Sequence, residues 1–165
     1  MTKPLIPVLL LLVATAALAG PAPFGLELGQ TTQGQAGTRY PLRPVGINAL
    51  TLGEQFDLDG RLLPVAGLKT VRLIFGPDRR LLGVIAVFAP ERYADVRAEL
   101  AAKYRQVPSA APAAAGQYDR FTDGDSEIAL SKPSGAPSIK LDYIHRRLSE
   151  AVRIQRQQAA EASPL

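Results

Sequence analysis

The chain has 165 residues, no cysteine, a single histidine and a formal charge of +4 at neutral pH, and 47 % of its residues are hydrophobic. Without cysteine it can hold neither disulfide staples nor the thiolate ligands of a zinc cluster, and one imidazole cannot replace them. A basic excess this small, spread along the chain, is not a nucleic-acid footprint, and the apolar content suffices for one ordinary core.

The first segment reads as an address. Met1, Thr2 and Lys3 make a short positive start, Leu5 to Leu18 is an apolar run, and Ala17, Leu18 and Ala19 supply a small-residue cleavage site before Gly20. That is the pattern of a secretory signal peptide, with cleavage expected near Ala19. A membrane span needs about 20 apolar residues, and this run is shorter. Residues 1–19 are therefore set apart from a single domain over 20–165, expected to be periplasmic or secreted. With no cysteine to carry a lipid, no stable membrane anchor is expected after processing. Loss of Lys3 leaves 18 basic against 15 acidic side chains, a balance that suits a solvated mixed surface.

Residues 20–67 predict an irregular amino-terminal segment. In Pro23–Gly29 (PFGLELG) the apolar Phe24, Leu26 and Leu28 alternate, which suits an extended stretch with one buried face. Thr31 or Thr32 can cap a helix, but Gly34 and Gly37 each cost about 1 kcal/mol relative to alanine, so only a short, frayed turn is expected. Prolines 41 and 44 favour extended chain before them. Gln55–Asp59 alternates again and ends on an Asp59-Gly60 turn.

The centre of the chain is a hairpin followed by a helix. Lys69–Phe75 and Leu81–Phe88 read as strands about a Gly76-Pro77-Asp78 turn. Val71, Leu73 and Phe75 share one face, with Thr70, Arg72 and Ile74 on the other. The second strand is apolar on both: Leu82, Val84, Ala86 and Phe88 on one side, Leu81, Ile85 and Val87 on its back. Such a strand belongs at the middle of a sheet, covered twice. Glu91–Arg105 then predicts a helix opened by Pro90, with Tyr93, Val96, Leu100, Tyr104 and Val107 as its packing stripe.

A Pro/Ala-rich loop over 108–116 leads to three more strands. Gln117–Thr122 and Ser126–Ser131 flank an Asp123-Gly124 hairpin turn, and Ser138–His145 follows with Ile139, Leu141, Tyr143 and His145 on one face. Arg146 to Ala162 closes the chain as a helix whose thin apolar edge is Leu148, Val152 and Ala159, so loose docking is expected, with a frayed tail over 158–165.

No residue set announces chemistry. Asp123, Asp125 and Glu127 lack the spacing of a calcium loop. There is no nucleophile elbow and no phosphate-cradling glycine loop. Asp57 and Asp59 flank Leu58 on one strand face, where like charges can raise a pKa for acid–base work, although a solvent face is the plainer reading. His145 is placed as a structural residue that would titrate near neutrality at a cleft. The candidates for ligand or partner contact are accordingly Asp57, Asp59, His145, Arg146 and Arg147, with no catalytic residue, metal or cofactor expected.

Several segments carry a resemblance. Pro23–Gly29, Tyr40-Pro41-Leu42, Gly46-Ile47-Asn48, Leu73-Ile74-Phe75 with Leu81-Leu82, Lys103-Tyr104, Phe121–Leu130 (FTDGDSEIAL) and Leu141-Asp142-Tyr143 together make the chain resemble small exported proteobacterial proteins that open on a PFGLxLG segment. The glycines at 34 and 37 and the stretch Ser134–Pro137, without a histidine after Pro133, depart from that pattern. The group has no assigned activity, so the resemblance implies address and architecture and carries no site residue.

The expected fold is one α+β domain: a mostly antiparallel sheet, built from a hairpin and a three-strand meander, with a helix across one face and a carboxy-terminal helix. The expected function is a non-catalytic periplasmic binding or adaptor protein of unknown partner, an envelope protein or a small apolar ligand being the candidates. The alternatives are a carrier of a small apolar ligand or lipid, held where Leu81, Ile85 and Val87 line a cavity, and a hydrolase using Asp57, Asp59 or His145.

Overall fold

The structure is a computed structural model that describes residues 20–109 and 116–161. The leader expected at 1–19, most of the Pro/Ala-rich loop, the side chain of Ala159 and the end of the tail lie outside the described residues. The fold is α+β. An open antiparallel sheet of eight strands runs in the order β1-β2-β3-β4-β8-β7-β6-β5.

The order follows from two meanders that meet at the centre. β1 (Arg43–Ile47), β2 (Glu54–Asp59), β3 (Leu68–Phe75) and β4 (Leu81–Phe88) step inward from one edge. α2 (Tyr93–Lys103) then carries the chain over one face to the far edge. From there β5 (Arg105–Val107), β6 (Gly116–Asp123), β7 (Ser126–Pro133) and β8 (Ile139–His145) step back until β8 pairs with β4. The segment expected to be irregular thus supplies β1 and β2. β5 takes Arg105, expected as the last residue of the helix, and Val107, expected in its packing stripe, because the chain turns extended after Lys103 to pair with β6.

The front face carries the main core. Val71, Leu73, Phe75, Val84, Ala86, Phe121, Ile128, Leu130 and Ile139 are all nearly or fully buried there. Tyr93, Val96 and Leu100 of α2 cover part of it, and Leu26, Leu28 and Ala36 of the amino-terminal segment cover the rest. Leu26 and Leu28 are buried as their alternation implies, yet they form no strand. Phe24 (φ 56°) and Gly25 (φ 71°) lie in the left-handed region within a 3₁₀ turn, Pro23–Gly25. The turn is held by side chains: the Tyr40 hydroxyl donates to the Phe24 carbonyl at 2.7 Å, and Arg39 to that of Gly25 at 2.5 Å.

α1 (Gln33–Arg39) forms in spite of its glycines because its start is fully capped. The Thr32 hydroxyl accepts from the Gln35 N–H at 3.3 Å, and the Gln35 side chain accepts from the Thr32 N–H at 2.8 Å. Such a reciprocal cap satisfies two orphan donors at once. Gly34 and Gly37 face open space, and Ala36 alone is fully buried.

One strand departs from simple alternation. Ile74 pairs with Gly83 but Phe75 with Leu81, so β4 bulges at Leu82. A bulge inserts one residue and reverses the faces beyond it. Leu81 therefore joins the front core and Leu82 the back, the reverse of the faces that period-two reading assigns. Both edges of the sheet are blunted: β1 carries Pro44 and its own irregular register beside Gly46, and β5 has three residues.

Candidate functional site

The back face is covered in part, by one helix and by Leu50 of the β1–β2 connection. α3 (Arg146–Glu161) starts where β8 ends, and its first turn is pinned from several sides. His145 is its cap: the ring Nδ1 accepts from the Arg147 N–H at 3.2 Å. An accepting Nδ1 means a neutral imidazole, and burial pushes its pKa below the usual value. The Arg146 N–H donates to the Asp125 carbonyl at 2.7 Å, and its guanidinium lies 3.3 Å from the Asp125 carboxylate. Arg147 reaches the β3–β4 turn, where it binds Asp78 at 2.8 Å.

Leu148, 3 % exposed, then drops onto Ile74 and Leu82, with Ile85, Ile144 and Val152 packed around them. Gly83 permits the approach: a Cβ there would lie 2.9 Å from Leu148 Cδ2. This docking is tighter than the thin apolar edge implies, because a single leucine finds a glycine-floored seat. Past Val152 the helix parts from the sheet, and Arg153 to Gln158 are exposed.

Between the departing helix and the sheet lies a groove of about 870 Å³, within the usual size range of small-molecule sites. Its floor is Ile74, Ile85 and Ile144 with Arg72, Lys140 and Asp142, and its wall is Leu148, Ser149, Val152, Arg153, Arg156 and Gln157. The floor follows from strand register. Arg43, Asp57, Arg72, Ile85, Asp142, Ala129 and Arg120 stand opposite one another from β1 to β6, one row across the back of the sheet. A second cavity, about 190 Å³, lies on the front face between the amino-terminal segment and α2, beside Phe24, Tyr104 and Tyr143.

Asp57, Arg72, Asp142 and Arg120 of the row each have a charged partner. Arg72 donates to both oxygens of Asp57, from Nε at 2.8 Å and Nη2 at 3.0 Å. That fork holds the Asp57 carboxyl below its usual pKa. Lys140 lies 3.0 Å from Asp142 Oδ2, and Arg120 lies 3.1 Å from Glu127. Asp142 is the exception in character. Burial in the middle of the sheet raises its pKa, with Lys140 pulling the other way, and its Oδ1 is buried without a hydrogen-bond partner among the described residues.

The residues singled out by sequence do not gather into one site. Asp57 and His145 sit on opposite sheet faces, since Phe56 and Leu58 flank Asp57 in the front core, whereas His145 shares the front parity of Tyr143. Asp59 caps a 3₁₀ turn, Gly60–Leu62, and is forked by Arg61, which lowers its pKa to about 2. The two aspartates thus keep low pKa values where mutual repulsion would have raised one. Arg146 and Arg147 anchor the helix rather than the groove. Of the expected cavity residues, Ile85 does line the groove, whereas Leu81 is buried in the front core. Arg72, Lys140, Asp142, Arg153 and Arg156 were missed. The signal for Asp142 was present, a carboxylate within a strand otherwise apolar at Leu141, Tyr143 and Ile144, but its central position depends on β8 pairing with β4.

Among the described residues there is no cluster of three or more His, Cys, Asp or Glu side chains arranged to hold a metal ion, and no helix is long and apolar enough to cross a membrane. Comparison of the chain with protein-family models, with curated proteins and with solved structures finds no match.

Proposed function

We propose that this chain is an exported binding protein without chemistry of its own, and that its ligand lies in the groove beside α3. The observation that carries the reading is the pair Ile85 and Ile144 at the centre of the sheet, left half-buried beside α3 where Leu148 covers only Ile74 and Leu82. Apolar surface left open in a concavity, rimmed by a few polar groups, is the usual form of a ligand site. The pairing of Asp57 with Arg72 and of Asp59 with Arg61 suits a structural part for both carboxylates rather than acid–base work. Residues 1–19 and the resemblance to small exported proteins support the address.

The test is native mass spectrometry of the processed chain purified from an envelope extract without detergent. The expected result is an adduct that is lost on denaturation and absent from Ile85→Glu, with the circular dichroism of that variant unchanged. A bare apo mass for the wild type would dismiss the reading. A second reading, docking of an envelope protein, draws on the exposure of Leu52 (72 %), Ile47 (62 %) and Ile154 (47 %) beside the groove. It is favoured if a specific protein is recovered from the extract and Leu52→Asp abolishes its capture.

A further inference from the structure

We propose that the groove takes a single-chain anionic amphiphile: an apolar body laid over the half-buried Ile85 and Ile144, and one acidic head group held by Arg153 and Arg156. This rests on the groove being the ligand site and adds the chemical class of the ligand. The lining holds the cations Arg72, Lys140, Arg153 and Arg156 and the anions Glu127 and Asp142. Each acid has a basic partner, Arg120 for Glu127 and Lys140 for Asp142, and Arg72 is forked onto Asp57. Two guanidiniums are left. Arg153 and Arg156 are exposed, and neither has a carboxylate partner among the described residues.

Their placement adds to the count. Spacings of three and four residues put Ser149, Arg153 and Arg156 on one flank of α3, the flank that overhangs the groove. Two like charges three residues apart repel each other, and an anion placed between them removes that cost. Guanidinium forks match carboxylate or phosphate oxygens, and they do so best beside a low-dielectric floor. A neutral apolar ligand would leave both arginines idle. A cationic ligand would be opposed by them, and Asp142 cannot answer for it, because one of its oxygens is already with Lys140 and the other is buried.

The test is titration calorimetry of the processed chain with three probes of one tail length, each below its micelle threshold: dodecanoate, dodecyl maltoside and dodecyltrimethylammonium. The expected order is dodecanoate first, by about tenfold or more over the maltoside, as charge-assisted pairs imply, with the cation weakest. The exposed pair Arg153→Ala/Arg156→Ala, which leaves the core untouched, should bring dodecanoate down to the maltoside level and leave the maltoside unchanged. Equal affinities for all three, a preference for the cation, or full dodecanoate affinity in the double variant would overturn the anionic assignment and leave the groove itself standing. Binding of none would overturn both. Capture by anionic lipid vesicles with no binding of free dodecanoate would also overturn it, in favour of a membrane surface.

Discussion

At Asp142 one carboxylate oxygen meets Lys140 at 3.0 Å, while the other is buried and accepts nothing among the described residues. Leaving a buried polar group unpaired costs on the order of 1–3 kcal/mol. Ile85 and Ile144 lie beside it on the same floor, so a β-branched apolar residue fits the site. Asp142→Val should therefore stabilise the protein by about 1 kcal/mol at pH 7, read from denaturant midpoints; Lys140 is half exposed and loses little with its partner. The sign with pH is fixed by the direction of the shift. A carboxyl whose folded pKa lies above its ordinary 3.8 binds more protons folded than unfolded in that window. Its contribution is thus fully present below 3.8 and is lost as pH rises through the folded value. The advantage of the valine variant should shrink as pH falls toward 3.8, and a variant less stable than wild type at pH 7 would sink the account. Asp57 shows the opposite case: the same residue type, farther along the same row on β2, is forked by Arg72 and kept ionised.

Elements were legible where the sequence pattern is local. The stripe Tyr93, Val96 and Leu100 faces the core as its spacing requires, and the Asp123-Gly124 turn joins β6 to β7 with Gly124 at φ 52°. What local pattern misjudged was strength of docking and face. Two glycines argued against α1, yet the Thr32–Gln35 cap and one buried alanine outweigh them. The weak stripe of α3 argued for loose docking, yet Leu148 is buried because Gly83 gives it room. Gly83→Ala tests that seat. Replacing a strand glycine ordinarily helps, but here the added Cβ would stand 2.9 Å from Leu148 and 3.4 Å from Ile74. Overpacking of this kind costs about 1–3 kcal/mol, so the variant should unfold at lower denaturant with faster amide exchange in the first turns of α3. A neutral or stabilising result would mean that the helix is not held by this contact.

For the molecule as a whole, the two faces and the two edges set a gradient of stability. β4 and β8 are central, hydrogen-bonded on both sides and covered by α2 and the amino-terminal segment in front and by α3 behind. β1 is exposed along all of its residues and pairs on one side only. Local opening follows burial and pairing. Native-state amide exchange should therefore be slowest in β4 and β8 and fastest in β1, and equal protection across the sheet would contradict this layering.

Alternating and helical patterns in the chain determined that β3, β4, β6, β7 and β8 exist, that α2 buries one stripe, and that the fold is α+β. Those features follow from neighbours a few residues apart, whose side chains share a face wherever the local period is unbroken. Only the tertiary structure decided that β8 lies beside β4, that the bulge at Leu82 exchanges two leucines between faces, and that Asp142 ends up in the middle of a sheet under a half-docked helix. Each of these depends on pairing between residues tens of positions apart, and the free energy that selects one pairing over another is spread across the whole core rather than written at any one site.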